Sequence, residues 1–168
     1  MFSVLLLPLG CAGKPTTDGD ADPELALAAS RWEALAGFEA WGQPDGWAGV
    51  KASCDGSHGP FVQTWANEAA LSALAAGSGP MEDGAALLKA AYEDDGETPR
   101  GYALMEKVAG RAPEQGDWFW AMYDAEGTPT RAGVVSGCYG CHEGARVDYA
   151  RSSDGPGVDT PDACGDAG

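Results

Sequence analysis

Near its C-terminal end the chain reads Cys138-Tyr139-Gly140-Cys141-His142, and no other stretch limits the fold so strongly. Residues three apart share one face of a helical turn. The spacing therefore sets two thiols side by side, with an imidazole next to the second. C-x-x-C-H is the attachment signature of a c-type haem. Each thiol can form a thioether with a haem vinyl group, and His142 can then serve as proximal iron ligand. The expected cofactor is haem c with its iron, held by Cys138, Cys141 and His142. Three other readings use the same residues. A disulfide between Cys138 and Cys141 would close a small, strained loop. A thioredoxin-like pair would want a βαβ setting, which the neighbouring sequence does not offer. A zinc site could add Cys54 and His58, spaced C-x3-H; one haem motif uses the residues more economically.

The 168 residues suit one domain, long enough to bury a core. With 26 acidic and 10 basic residues the net charge is −16, which argues against nucleic acid as a partner, since cations to neutralise phosphates are too few. Residues 1–10 read MFSVLLLPLG and run into Cys11, like a bacterial lipoprotein signal. Pro8 stands where such signals usually have Leu, and no Lys or Arg precedes the apolar run. The run is too short to span a membrane as a helix, so membrane contact is expected only through a lipid on Cys11. The expected location is outside the cytoplasm, as a periplasmic or membrane-anchored lipoprotein. Attachment of haem to C-x-x-C-H in bacteria normally follows export, so the two expectations agree. In an oxidising compartment Cys54 and Cys164 invite a disulfide, with free thiols as the alternative. The organisation read from composition is a signal over 1–11, a polar linker over 12–21, a folded domain over 22–151, and an acidic Gly/Pro-rich tail over 152–168.

Asp22-Pro23 is a helix start, an N-cap followed by Pro at the first position. Leu25, Ala28, Trp32, Leu35 and Ala36 then recur at helical spacing to about Ala40. Residues 42–57 are rich in Gly, Pro and Asp and read as loop. A strand is predicted over 61–65, and Asn67 caps a short helix that Gly77 ends. Strand-like runs follow at 85–92, 102–108 and 118–123, separated by turn residues that suit an antiparallel meander. In the last run both faces are apolar, so that strand should be covered on both sides. A helix over 135–142 carries the motif. The expected fold is α+β: an antiparallel sheet of about four to five strands with flanking helices, and haem c attached near the C-terminus.

Lys89 and Glu106 are polar residues inside apolar strands. Side chains alternate along a strand, so Lys89 shares a face with Leu87 and Ala91, and Glu106 shares one with Tyr102, Leu104 and Val108. A buried Lys is in part a neutral, nucleophilic amine; an edge-strand Lys merely discourages aggregation. Glu106 could accept protons if its face lines the haem pocket, or form a cross-strand ion pair, with Lys89 as one candidate. His58, Met105 and Met122 are candidate sixth ligands to the iron; each also has an ordinary reading, as a turn histidine or as core methionines.

The succession Ser57-His58-Gly59-Pro60-Phe61-Val62, Asp83-Gly84-Ala85-Ala86-Leu87-Leu88-Lys89, Met105-Glu106-Lys107-Val108, Gly116-Asp117-Trp118-Phe119-Trp120 and the C-x-x-C-H motif resembles the cytochrome P-460 family, including its cytochromes c′-beta. The resemblance covers roughly residues 47–149. It implies an antiparallel sheet, a homodimer formed through that sheet, and a five-coordinate haem c with His142 proximal and an open distal site. It implies that small nitrogen species, nitric oxide or hydroxylamine, bind there. Lys89 falls on the position that hydroxylamine-oxidising members join covalently to the porphyrin edge. Phe61 matches the region of a distal aromatic cap, and Glu106 the place of a distal carboxylate. Where the hydroxylamine-oxidising members have an Arg, this chain has Gln63. An oxidoreductase, if Lys89 is joined to the haem, and a nitric oxide binder, if it is not, are the two expectations. An electron-transfer cytochrome with a six-coordinate haem and a redox-partner protein is the alternative.

Overall fold

A computed structural model describes residues 22–53 and 56–151. The signal ending at Cys11, the linker, Cys54 and the tail with Cys164 lie outside the described residues.

The fold is α+β, built on a six-stranded antiparallel sheet in strict chain order. The strands are β1 (Lys51–Ala52), β2 (Phe61–Ala66), β3 (Ala86–Tyr92), β4 (Pro99–Lys107), β5 (Trp118–Asp124) and β6 (Pro129–Gly133). Helix α1 (Pro23–Ala34) lies on one face; α2 (Glu68–Ala76) and α3 (Ser136–His142) lie on the other. The count exceeds the expected four to five because both edge strands escape notice in the sequence. β1 has only two residues within a Gly-rich stretch. β6 begins with Pro129, which is tolerated at an edge because a ladder donor is not needed there.

The start of α1 is as the sequence predicts. The Asp22 carboxylate accepts the Glu24 N–H at 2.9 Å, satisfying a donor that the first turn leaves open. Its end is earlier than expected. The helix stops at Ala34, Gly37 adopts φ 86°, and Phe38–Ala40 form a separate 3-10 turn that carries Phe38 into the core. Leu35 and Ala36 extend the apolar spacing past this break and disguise it. Asn67 caps α2 and also ties it to the sheet: its Oδ1 accepts the N–H groups of Ala70 and Ala86, and its Nδ2 donates to the Gly84 carbonyl at 2.8 Å.

Alternation divides the core in two. Leu88, Leu104, Phe119, Ala121 and Tyr123 pack under α1 with Trp32 and Phe38. The buried Tyr123 hydroxyl donates to the Ala28 carbonyl at 3.0 Å, fixing helix to sheet. Leu87, Met105, Trp118 and Trp120 face the other way, toward α2, α3 and the turn that follows the motif. β5 is thus covered on both sides, as its sequence requires. Trp118, Phe119 and Leu88 are the largest fully buried side chains, each worth about 1.5–3 kcal/mol of apolar transfer.

Candidate functional site

Helix α3 lies against the second face and brings the motif to a cleft of about 220 Å³ between itself and the sheet. Cys138 and Cys141 sit one turn apart on it as free thiols, the first half-buried and the second exposed. Burial pushes the Cys138 thiol pKa up, while the Arg131 guanidinium partly offsets the rise. His142 ends the helix, is buried, and lies edge-on to Trp120 with ring centroids 4.9 Å apart. Its Nδ1 is 2.7 Å from the Tyr149 carbonyl oxygen. A carbonyl only accepts, so Nδ1 carries a proton, and in the neutral ring the lone pair then falls on Nε2. That is the tautomer an iron ligand needs.

The cleft floor comes from β3, β4 and β5 through Leu87, Lys89, Met105, Trp120 and Met122. Lys89 stands opposite Thr64 on β2 and Ala103 on β4, in the middle of the sheet. It is therefore not an edge-strand lysine; it points a cation at the cleft. His58, from the turn before β2, reaches the same cleft, with its ring centroid 6.2 Å from that of His142.

The structure separates two expected residues from this group. Glu106 pairs in register with Ala86 and Phe119, whose side chains pack under α1, so it belongs to the opposite face. Its carboxylate meets Arg31 of α1 at 2.7 Å, not Lys89. Burial raises its pKa and Arg31 counteracts that. Phe61 is also absent from the cleft; it alternates with Val62 and Thr64, and its ring lies beside Gly96 in the β3–β4 turn. Gln63 shares the Phe61 side, where its side-chain oxygen accepts the Tyr92 hydroxyl at 3.3 Å.

Three contributors were not anticipated. Arg131 comes from the unforeseen strand β6. Arg151, beyond the motif, donates to the Cys141 carbonyl at 2.8 Å and touches its sulfur. The Tyr149 carbonyl is a backbone group and leaves no mark in a side-chain pattern.

The lining fits haem c on three counts. Two thiols and one correctly protonated imidazole lie together on α3. Among the described residues, Lys89, Arg131 and Arg151 line the cleft and no Asp or Glu does, although acidic residues outnumber basic ones 26 to 10 in the chain. Such cations suit the carboxylates that a haem carries. Among the described residues the buried Trp120 Nε1 finds no hydrogen-bond partner, and such a donor beside the cleft suits a polar group held within it. Among the described residues no three His, Cys, Asp or Glu side chains cluster as a metal site, and Cys54 of the zinc reading lies outside them. Also among the described residues, no helix is long and apolar enough to cross a membrane.

No curated protein is a significant match to the chain. The family described as Cytochrome P460 matches residues 45–150, which includes all six described strands, α2, α3 and every described cleft-lining residue except Arg151. With more than half of its length matched, the chain belongs to the cytochrome P460 family, mono-haem c-type cytochromes whose cofactor is haem c with its iron.

Proposed function

We propose that this protein works outside the cytoplasm, binding small nitrogen species, nitric oxide or hydroxylamine, on the side of the haem away from His142. The carrying observation is a largely apolar cleft bounded by His142, with Lys89 on its floor. When bound, haem c supplies an iron that takes up such ligands and changes charge by one electron. Cys138 and Cys141 would tether it, and His142, its Nδ1 held by the Tyr149 carbonyl, would ligate the iron through Nε2. Lys89, Arg131 and Arg151 balance the haem carboxylates. Leu87, Met105 and Trp120 keep water scarce and favour an uncharged ligand. Proton transfer at this cleft falls to Lys89 and His58, because Glu106 lies across the sheet. Export is supported by the lipoprotein-like residues 1–11.

His58 favours a second reading. Two imidazoles on opposite sides of one metal ion, at about 2 Å per bond, have ring centres roughly 6 Å apart. The separation from His142 is 6.2 Å. On this reading His58 is the sixth ligand and the protein transfers electrons to a redox partner.

Optical spectra of the matured holoprotein test both. A high-spin spectrum that changes with nitric oxide supports ligand binding. A low-spin, unresponsive spectrum that becomes responsive in His58→Ala supports electron transfer. A red-shifted reduced Soret band that is lost in Lys89→Ala identifies a Lys89–haem bond and favours hydroxylamine oxidation. An unchanged spectrum in that variant removes Lys89 from the chemistry, and absence of haem overturns both readings.

A further inference from the structure

We infer that Asp148 and Lys107 are positioning residues for the proximal ligand: they hold the Tyr149 carbonyl against His142 Nδ1 and so set how strongly the imidazole donates to the iron. The inference rests on His142 being that ligand, and applies whether or not His58 occupies the other side.

Asp148 Oδ2 accepts the Met81 N–H at 2.6 Å and the Lys107 ammonium at 2.7 Å. The pair is nearly dry, with side chains 10% and 12% exposed for Asp148 and Lys107. Lys107 closes β4 and lies over the Trp118 ring, 5.1 Å from its centroid, so the anchor belongs to the sheet. Asp148 and Tyr149 have φ of 34° and 67°, conformations that residues other than Gly rarely adopt. Ala150 N–H closes the turn on the Val147 carbonyl at 2.7 Å. The Tyr149 ring covers Gly116, where a Cβ would fall 2.5 Å from it.

Two consecutive left-handed residues persist only where their surroundings over-determine them. Here the surroundings are a carboxylate with two donors on one side of the Tyr149 peptide and a packed ring on the other. A buried ion pair is weak evidence of stabilisation, since apolar replacements often match it. Its position one residue before the carbonyl that meets His142 gives it another use. A hydrogen bond from Nδ1 raises the basicity of the ligating nitrogen. A firmly held acceptor thus favours ferric over ferrous iron. A loosened one favours ferrous, and the potential rises.

The test is redox titration of matured holoprotein carrying Asp148→Ala or Asp148→Asn, with Arg111→Met as a control for general destabilisation, since Arg111 pairs with Glu24 of α1 and lies over the Phe119 ring on the opposite face of the sheet. Losing a group that supports a metal-ligating histidine typically costs about 10–100-fold in metal affinity or activity. Asp148→Ala should lower the ferric-to-ferrous ratio at fixed potential about tenfold, an upward shift of about 59 mV for one electron. Asp148→Asn, which keeps the shape and the left-handed tendency, should shift the ratio a few-fold in the same direction. Arg111→Met should lower the melting temperature and leave the potential alone. Potentials equal to wild type in both Asp148 variants, or an equal shift in Arg111→Met, overturn the inference. If Asp148→Ala fails to mature, Asp148→Asn decides. A wild-type chain that acquires no haem removes the underlying reading instead.

Discussion

Replacing Arg31 by Met tests the assignment of Glu106 to the α1 face. The Glu106 side chain is 18% exposed and Arg31 37%, with 2.7 Å between Nε and the carboxylate. Removing one partner of a fully buried pair costs about 3–5 kcal/mol, and an exposed pair is worth less than about 1. The partial exposure of Arg31 calls for a discount, which places the loss near 2 kcal/mol, or roughly 4–8 °C in melting temperature. The loss should depend on pH. Burial raises the Glu106 pKa above its ordinary 4.5, and Arg31 holds that rise down. A carboxyl with a raised folded pKa binds its proton more tightly when folded, so its ionisation withdraws stability as pH climbs from the unfolded value through the folded one. Without Arg31 the rise is larger and the withdrawal steeper. Denaturant unfolding of the holoprotein at pH 4.5 and pH 7.5 should find Arg31→Met close to wild type at the lower pH and weakest at the higher. Arg31→Met combined with Glu106→Gln should recover most of the difference. Glu106→Gln alone should leave the ligand-dependent haem spectrum unchanged. A spectrum altered in Glu106→Gln, or a pH-independent loss in Arg31→Met, would refute the reasoning.

Asn67→Ala removes a helix cap together with two ties to the sheet. A cap alone is worth about 1 kcal/mol. With the Ala86 N–H and Gly84 carbonyl also deprived, chemical denaturation should reveal a loss of about 2–3 kcal/mol. Gly127 has φ 84°, and a side chain there would run into the Trp32 indole. Gly127→Ala should therefore cost about 2–3 kcal/mol, from backbone strain plus overpacking, while haem attachment, across the sheet, continues. A thermal melt no lower than wild type would show that the turn and Trp32 yield freely.

Much of this architecture is legible where local chemistry repeats itself. The Asp22-Pro23 start, the Asn67 cap and the apolar alternation of β5 each follow from a rule that acts within a few residues. The motif at Cys138, Cys141 and His142 names its own cofactor because few other uses put those groups at that spacing. What stays hidden depends on register. Alternation says which residues of β4 share a face, but not which face meets the corresponding one of β3. Setting Lys89 opposite Ala103 and Glu106 opposite Ala86 puts the two charges on opposite sides, and no local pattern fixes that choice. Phe61 misses the cleft for the same reason. Arg131 stays hidden because a short strand opening with Pro and Thr looks like turn, and Asp148 because its partners, Met81 and Lys107, lie far away in sequence.

Among the described residues every strand bonds to its immediate predecessor in the chain, with no crossover, and the segment bearing Cys138 and Cys141 comes after the last of them. The ladders from β1 to β6 can therefore close in order of synthesis, all across connections local in sequence, the longest being the α2 segment between β2 and β3. On that order α3 docks last, onto a sheet whose ladders are already closed. A chain interrupted at Ser136 would keep every one of those pairings and lose the C-x-x-C-H residues together with Val147, Asp148, Tyr149 and Ala150, which close that face of the sheet.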